Sequence, residues 1–242
     1  LGDRDDTSKR RKVSGKRDLL MDLAYQYSCL ISLTVADLKL TWREKSAWLT
    51  TALFACAALL IYSFALDLAS GIVVSLLPGV IWTVFLFAGI FSASQSFHAD
   101  RENGVLDALR ISPVHPTIVY LSKTISNFVQ LAAIQIPVLL GATVLFNEDI
   151  FQINIIMIVL LGTLGYCSLT TLLSALSFGS KSTNLMLPVM ALPLLVPLLI
   201  ACVEATASVL DDTPDGAPWM MLLVLFAIWT TLISALMFPL AD

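Results

Sequence analysis

Few side chains in this 242-residue sequence are equipped for chemistry, and their spacing argues against catalysis. There are two histidines, His98 and His115, and four cysteines, Cys29, Cys56, Cys167 and Cys202. Ser94 and His98 stand four residues apart, which would place a hydroxyl and an imidazole on one helical face, a pairing that can activate a nucleophile. No acid at a matching spacing orients the imidazole, and no strained turn presents the serine. The cysteines show no paired spacing and at least three fall in apolar runs, so they read as small buried residues, with no disulfide and no metal site. Gly15-Lys16-Arg17 lacks the earlier glycine and the hydroxyl residue of a phosphate-cradling loop. The chain is therefore expected not to be an enzyme, and ATP would have to be bound by another polypeptide. Lys123, Asn127 and Gln130 share one face of an apolar run. They either hydrogen-bond between helices or line a path, and Lys123 can also snorkel.

The elements that must carry these residues are long and apolar. Six runs, about 48–68, 72–97, 117–146, 153–178, 185–203 and 219–240, are each near or above the roughly 20 residues that cross about 30 Å of hydrocarbon as a helix. With 57% hydrophobic and 13% charged residues, the chain would expose too much apolar surface as a water-soluble domain. The runs are continuous rather than alternating, which excludes a spanning β-barrel and leaves an all-α membrane protein. No soluble domain or nucleic-acid-binding segment stands apart from them. All fourteen Lys and Arg fall on one side of the runs, thirteen in the segments between or before them and Lys123 just inside the start of the third run. With eleven acids that side carries +3, while Asp67, Glu148, Asp149, Glu204, Asp211, Asp212 and Asp215 give the other −7. The basic side is assigned to the cytoplasm, and six crossings put both termini there.

Residues 1–20 carry seven basic and four acidic residues with almost no apolar periodicity, and are expected to be a disordered basic extension. They read either as a polybasic patch for anionic lipid or as a solvated tail. Residues 21–242 are expected to form a single six-span domain. Between Asp22 and Lys45, Leu23, Tyr27, Leu30, Leu33, Ala36 and Leu40 recur at helical steps, which predicts an amphipathic helix in the membrane interface with Trp42 and Trp48 at headgroup depth. After the second run, Asp100 can cap a short helix whose ridge is Val105, Leu106 and Leu109, flanked by Arg101, Glu102, Asp107 and Arg110 and ended by Ser112-Pro113. Such a ridge suits a groove on a soluble partner or covers the bundle's own end. Pro188, Pro193 and Pro197 remove backbone donors from the fifth run, predicting a kink or break and a candidate hinge.

Three blocks carry a resemblance. They are Leu77-Pro-Gly-Val-Ile-Trp82, then Ser94-Gln-Ser-Phe97 with Arg101-Glu-Asn-Gly-Val-Leu-Asp-Ala-Leu109 and Ser112-Pro-Val114, and Leu187-Pro-Val-Met-Ala-Leu-Pro-Leu-Leu-Val-Pro197 running into Ile200-Ala-Cys-Val-Glu-Ala-Thr206. In order and spacing they resemble the haem exporter protein B (CcmB) family of ABC permeases. The resemblance implies a six-span permease of the ABC-2, or type V, kind in the bacterial inner membrane, acting in cytochrome c-type biogenesis. It implies a second permease copy, a CcmA-like ATPase holding ATP and Mg, CcmC-like and CcmD-like membrane subunits, and a haem chaperone resembling CcmE. By the same resemblance Asp100 to Ile111 is the coupling helix seated on the ATPase, haem stays with partner subunits, and this chain binds no cofactor. Two other readings stay open: the permease of a different ABC-2-type exporter, and a scaffold for haem-handling subunits that transports nothing.

Overall fold

In the computed structural model, residues 25–40, 45–66, 73–102, 114–176, 183–213 and 216–238 are described. Every regular element among them is helical. A first helix, α1, occupies residues 25–40. It is followed by α2 (Lys45–Ala65), α3 (Val73–Glu102), α4 (Pro116–Phe146), α5 (Ile153–Leu176), α6 (Thr183–Leu210) and α7 (Gly216–Met237). The last six are each long and apolar enough to cross a membrane, so the chain is an all-α, multi-pass membrane protein.

Burial ranks these helices by position. About three fifths of the span of α3 and two thirds of that of α5 are buried, against roughly a fifth for α2 and α7. The two buried helices form the centre: α5 packs on α3, α4, α6 and α7, and α3 packs on α2, α4, α5 and α6. Glycines set how closely they approach, since lipid-dissolved helices associate by packing and small residues admit a neighbour's side chain. A Cβ placed at Gly89 on α3 would lie 2.6 Å from the ring of Tyr166 on α5, and one at Gly162 would lie 2.5 Å from Trp82 and 2.7 Å from the Sγ of Cys202. Trp82 closes this contact by donating its indole N–H to Thr206 Oγ1 on α6 at 2.9 Å.

Helix ends differ from the sequence expectation in two places. The expectation ends the fifth run at residue 203, yet α6 continues to Leu210, and its membrane-length stretch is Met190–Leu210. Glu204, counted above with an exterior loop, therefore lies inside the span. Glutamate is a good helix former, and Ala-Thr-Ala-Ser-Val-Leu after it contains no breaker. The helix stops where Asp212 takes φ 51° and Thr213 N–H reaches back to the Ser208 carbonyl at 3.0 Å, the paired-carbonyl arrangement of a left-handed C-cap. The second difference is at α3, which runs unbroken from Val73 to Glu102. Asp100 thus sits inside α3 and does not cap a separate helix, because Ala99-Asp-Arg-Glu offers nothing that interrupts a helix already formed.

Candidate functional site

Many polar side chains of the interior converge on α4, most of them on its first half, near the end where α3 finishes. Pro116 occupies the first turn of α4, where its missing N–H costs nothing, and the side chain of His115 accepts the Thr117 N–H at 3.3 Å. One of the two histidines is therefore a helix cap. The next turns of α4 carry hydroxyls and amides at helical steps, and each side of the helix meets a different neighbour.

Toward α1, Lys123 Nζ lies 3.0 Å from Asp37 Oδ1, with the two side chains only 13% and 15% exposed. Thr34 Oγ1 donates to Ser122 Oγ at 3.3 Å, and Ser126 Oγ donates to the Thr34 carbonyl at 3.4 Å. Toward α3, Ser96 Oγ donates to Asn127 Oδ1 at 3.4 Å. Toward α5, Asn127 Nδ2 donates to Thr171 Oγ1 at 3.1 Å, the Tyr120 hydroxyl lies 2.7 Å from Ser168 Oγ, and Thr163 Oγ1 donates to Gln135 Oε1 at 2.9 Å. Asn127 thus ties three helices together. Gln130 is buried on the same helix. In a medium without water such bonds hold helices in one register, since an unmade bond leaves a bare polar group.

The residues singled out from sequence end in different places. Lys123, Asn127 and Gln130 are brought together on α4. Asp100, Arg101 and Glu102 form the last turn of α3, while Val105, Leu106, Leu109 and Arg110 lie outside the described residues, as do Trp42 and residues 1–20. α6 passes through Pro188, Pro193 and Pro197 as one helix rather than two. All four cysteines are free, Cys167 and Cys202 buried and Cys29 and Cys56 half-buried. Among the described residues, no three His, Cys, Asp or Glu side chains gather as a metal site.

Two features escaped sequence reasoning. Asp37 is the partner of Lys123, 86 residues away. The side of α1 that packs on the bundle was not foreseen either: Thr34 is buried, whereas Tyr27 and Leu40 of the apolar face expected to meet the membrane interface are exposed on the protein surface. The signal lay in α4, where Ser122, Lys123 and Ser126 make a polar surface that selects the polar side of α1.

Six membrane-length helices with buried hydroxyls and amides bonded across helix boundaries define a multi-pass membrane protein with a structured polar interior. Residues 28–241, which include all six membrane-length helices, match the family described as CcmB protein, and the chain belongs to that family. It is similar to "Heme exporter protein B" of Pseudomonas aeruginosa, 26% identical over 208 residues that cover 85% of this chain and 93% of the relative. It is also similar to the proteins of that name from Bradyrhizobium diazoefficiens, 25% identical and covering 82% and 90%, and Rhodobacter capsulatus, 27% identical and covering 77% and 86%.

Proposed function

We propose that this chain is the permease subunit of an ABC transporter complex serving haem export and cytochrome c-type biogenesis in the bacterial inner membrane. The observation that carries the reading is the family match, which runs through all six membrane-length helices, together with the name shared by its relatives. ATP and Mg are bound by a CcmA-like subunit, haem by CcmC-like and CcmE-like partners, and a second permease copy and a CcmD-like subunit complete the complex. The work of this chain is mechanical. A push on the segment from Asp100 to Ile111 enters α3 at its end, and α3 is a continuous rod from there to Trp82, about 27 Å away over eighteen residues. Trp82 hands the motion to Thr206 on α6, where Pro188, Pro193 and Pro197 serve as the hinge. The outcome is release of the haem-loaded chaperone on the exterior side.

The test is the double substitution Leu106→Asp and Leu109→Asp. It should leave six-span insertion intact while detaching the ATPase, because charges enter a groove that cannot solvate them. Retention of the ATPase at normal stoichiometry and activity would overturn the coupling role. Haem-dependent ATPase activity of the reconstituted complex, measured beside haem transport, separates an exporter from a scaffold: a scaffold shows no transport under turnover.

A further inference from the structure

Two buried polar groups where α3, α4 and α5 meet are poorly served by the protein itself. The first is the amide of Gln135, a residue only 3% exposed. Its Oε1 is met by Thr163 Oγ1 at 2.9 Å, whereas Nε2 bonds to no described residue. The second is the hydroxyl of Tyr166, a residue 6% exposed. Its one bond is to the Leu86 carbonyl at 3.5 Å, at the outer limit for a hydrogen bond, and that oxygen already serves the backbone ladder of α3. The ring has little room to swing toward a better partner, because it is seated against Gly89, where even a Cβ would lie 2.6 Å from it.

The two groups lie in one layer. Thr163 is at the middle of the span Ile153–Ser174 and Leu86 at the middle of Ser75–Ser96, so the Gln135 amide and the Tyr166 hydroxyl are both held near the bilayer midplane. In this bundle α3, α4 and α5 pack on one another pairwise. Lipid headgroups stop about 15 Å short of that plane, and lipid chains offer an amide nothing. A helix of another polypeptide cannot reach the groups either, since Leu131, Ile134 and Val138 bury the same stretch of α4 beside Gln135. Nε2 is nevertheless not sealed in. Among the described buried side-chain polar atoms, the Ser234 hydroxyl alone has neither a partner nor contact with a water-sized opening.

We propose that a single water molecule is held at the centre of the bundle, accepting a hydrogen bond from Gln135 Nε2 and bridging to the Tyr166 hydroxyl. A buried water makes about three hydrogen bonds, and the Gln135 amide, the Tyr166 hydroxyl and the Thr163 hydroxyl of the same layer supply that number. The bridge joins α4 to α5 and, through the Tyr166 ring seated on Gly89, to α3. It removes the cost of leaving an amide N–H bare in a medium without water. This site does not depend on the haem reading.

The test is X-ray radiolytic labelling of the full chain in phosphatidylcholine nanodiscs, read by mass spectrometry. Short pulses make hydroxyl radicals from water in place, so a buried ring beside a held water is oxidised and an equally buried ring without one is not. Tyr166 should be oxidised and Tyr120 spared, since Tyr120 is fully buried with its hydroxyl 2.7 Å from Ser168 Oγ. Gln135→Leu removes the anchor and strands no partner, because Thr163 keeps its bond to the Val159 carbonyl at 2.6 Å. In that variant the oxidation of Tyr166 should be lost while the helical circular dichroism of the parent is kept. A second readout needs no radicals: the effects of Gln135→Leu and Tyr166→Phe on the thermal midpoint should not add, because both variants remove the same bridge. Oxidation of Tyr166 no greater than that of Tyr120 in the parent chain would overturn the proposal. Persistence of the Tyr166 label in Gln135→Leu would do so too, by assigning the radicals to bulk water admitted by breathing. Strict additivity of the two variants would likewise sink it, since a shared water couples them.

Discussion

Replacing Lys123 with Met strands Asp37 in a site where both side chains are mostly buried. At 3.0 Å and an effective dielectric of about 20, the attraction between the two charges is about 5.5 kcal/mol before desolvation is counted. Removing one member of a buried pair leaves the other charge unpaired, at a net cost of about 3 kcal/mol or more. Asp37→Asn is milder: Lys123 keeps an amide oxygen and makes a further interaction of its own, so a cost of about 1 kcal/mol is expected. The double variant should cost well under the sum, because the charge stranded by one substitution is removed by the other. Thermal unfolding in mild detergent is the assay. At about 2 to 4 °C per kcal/mol for a chain of this length, Lys123→Met should lower the midpoint by about 6 to 12 °C. Cys29 on α1, half-buried in the parent, should also react faster with a thiol reagent when α1 is released, measured with Cys56 replaced by Ala. Additivity of the two single variants within about 0.5 kcal/mol would refute the reasoning, since uncoupled sites add.

Gly162→Val should destabilise by about 2 kcal/mol or more, since the added methyls meet Trp82 and Cys202. Gly79→Ala, which meets nothing within 4 Å, should be neutral or stabilising by up to about 1 kcal/mol in the same melt. Trp82→Phe removes the buried hydrogen bond to Thr206, and Thr206→Val removes that bond and its own donation to the Cys202 carbonyl; each should cost about 1 to 2 kcal/mol, with a double variant clearly less than additive. Cysteines introduced at Arg101 and Lys181 should react with an impermeant thiol reagent only in inside-out vesicles, and those at Asp149 and Asp212 only in intact cells. The reverse pattern would overturn the orientation drawn from the Lys and Arg bias.

The spans were legible because membrane insertion depends on an additive property, hydropathy, that any window of the sequence displays. Five of the six agree with the helices to within a few residues, the late end of α3 apart. The fifth run was the one cut short, at Glu204, because a single charge lowers local hydropathy without touching helix propensity. Lys123, Asn127 and Gln130 stood out for the converse reason, since polar residues in an apolar run are conspicuous. What each one bonds to was not legible. The partner of Lys123 is 86 residues away and that of Asn127 is 44 away on α5, and no periodicity along one helix reveals which neighbour faces it. Nor did the pattern of α1 reveal its packed side, because a short amphipathic helix has two usable faces and the tertiary partner chooses.

The bond between Asp37 and Lys123 also sets an order of events during synthesis. Asp37 leaves the ribosome 86 residues before Lys123, which at about 5 to 20 residues per second is roughly 4 to 17 s. Throughout that interval α1 has no α4 to lie against, and the first two spans must enter the membrane with their leading helix unattached. The arrival of the third span is what fastens it. A chain whose third span inserts late or inverted leaves the acid on α1 and the base on α4 without each other, so the pairing distinguishes a finished subunit from an unfinished one.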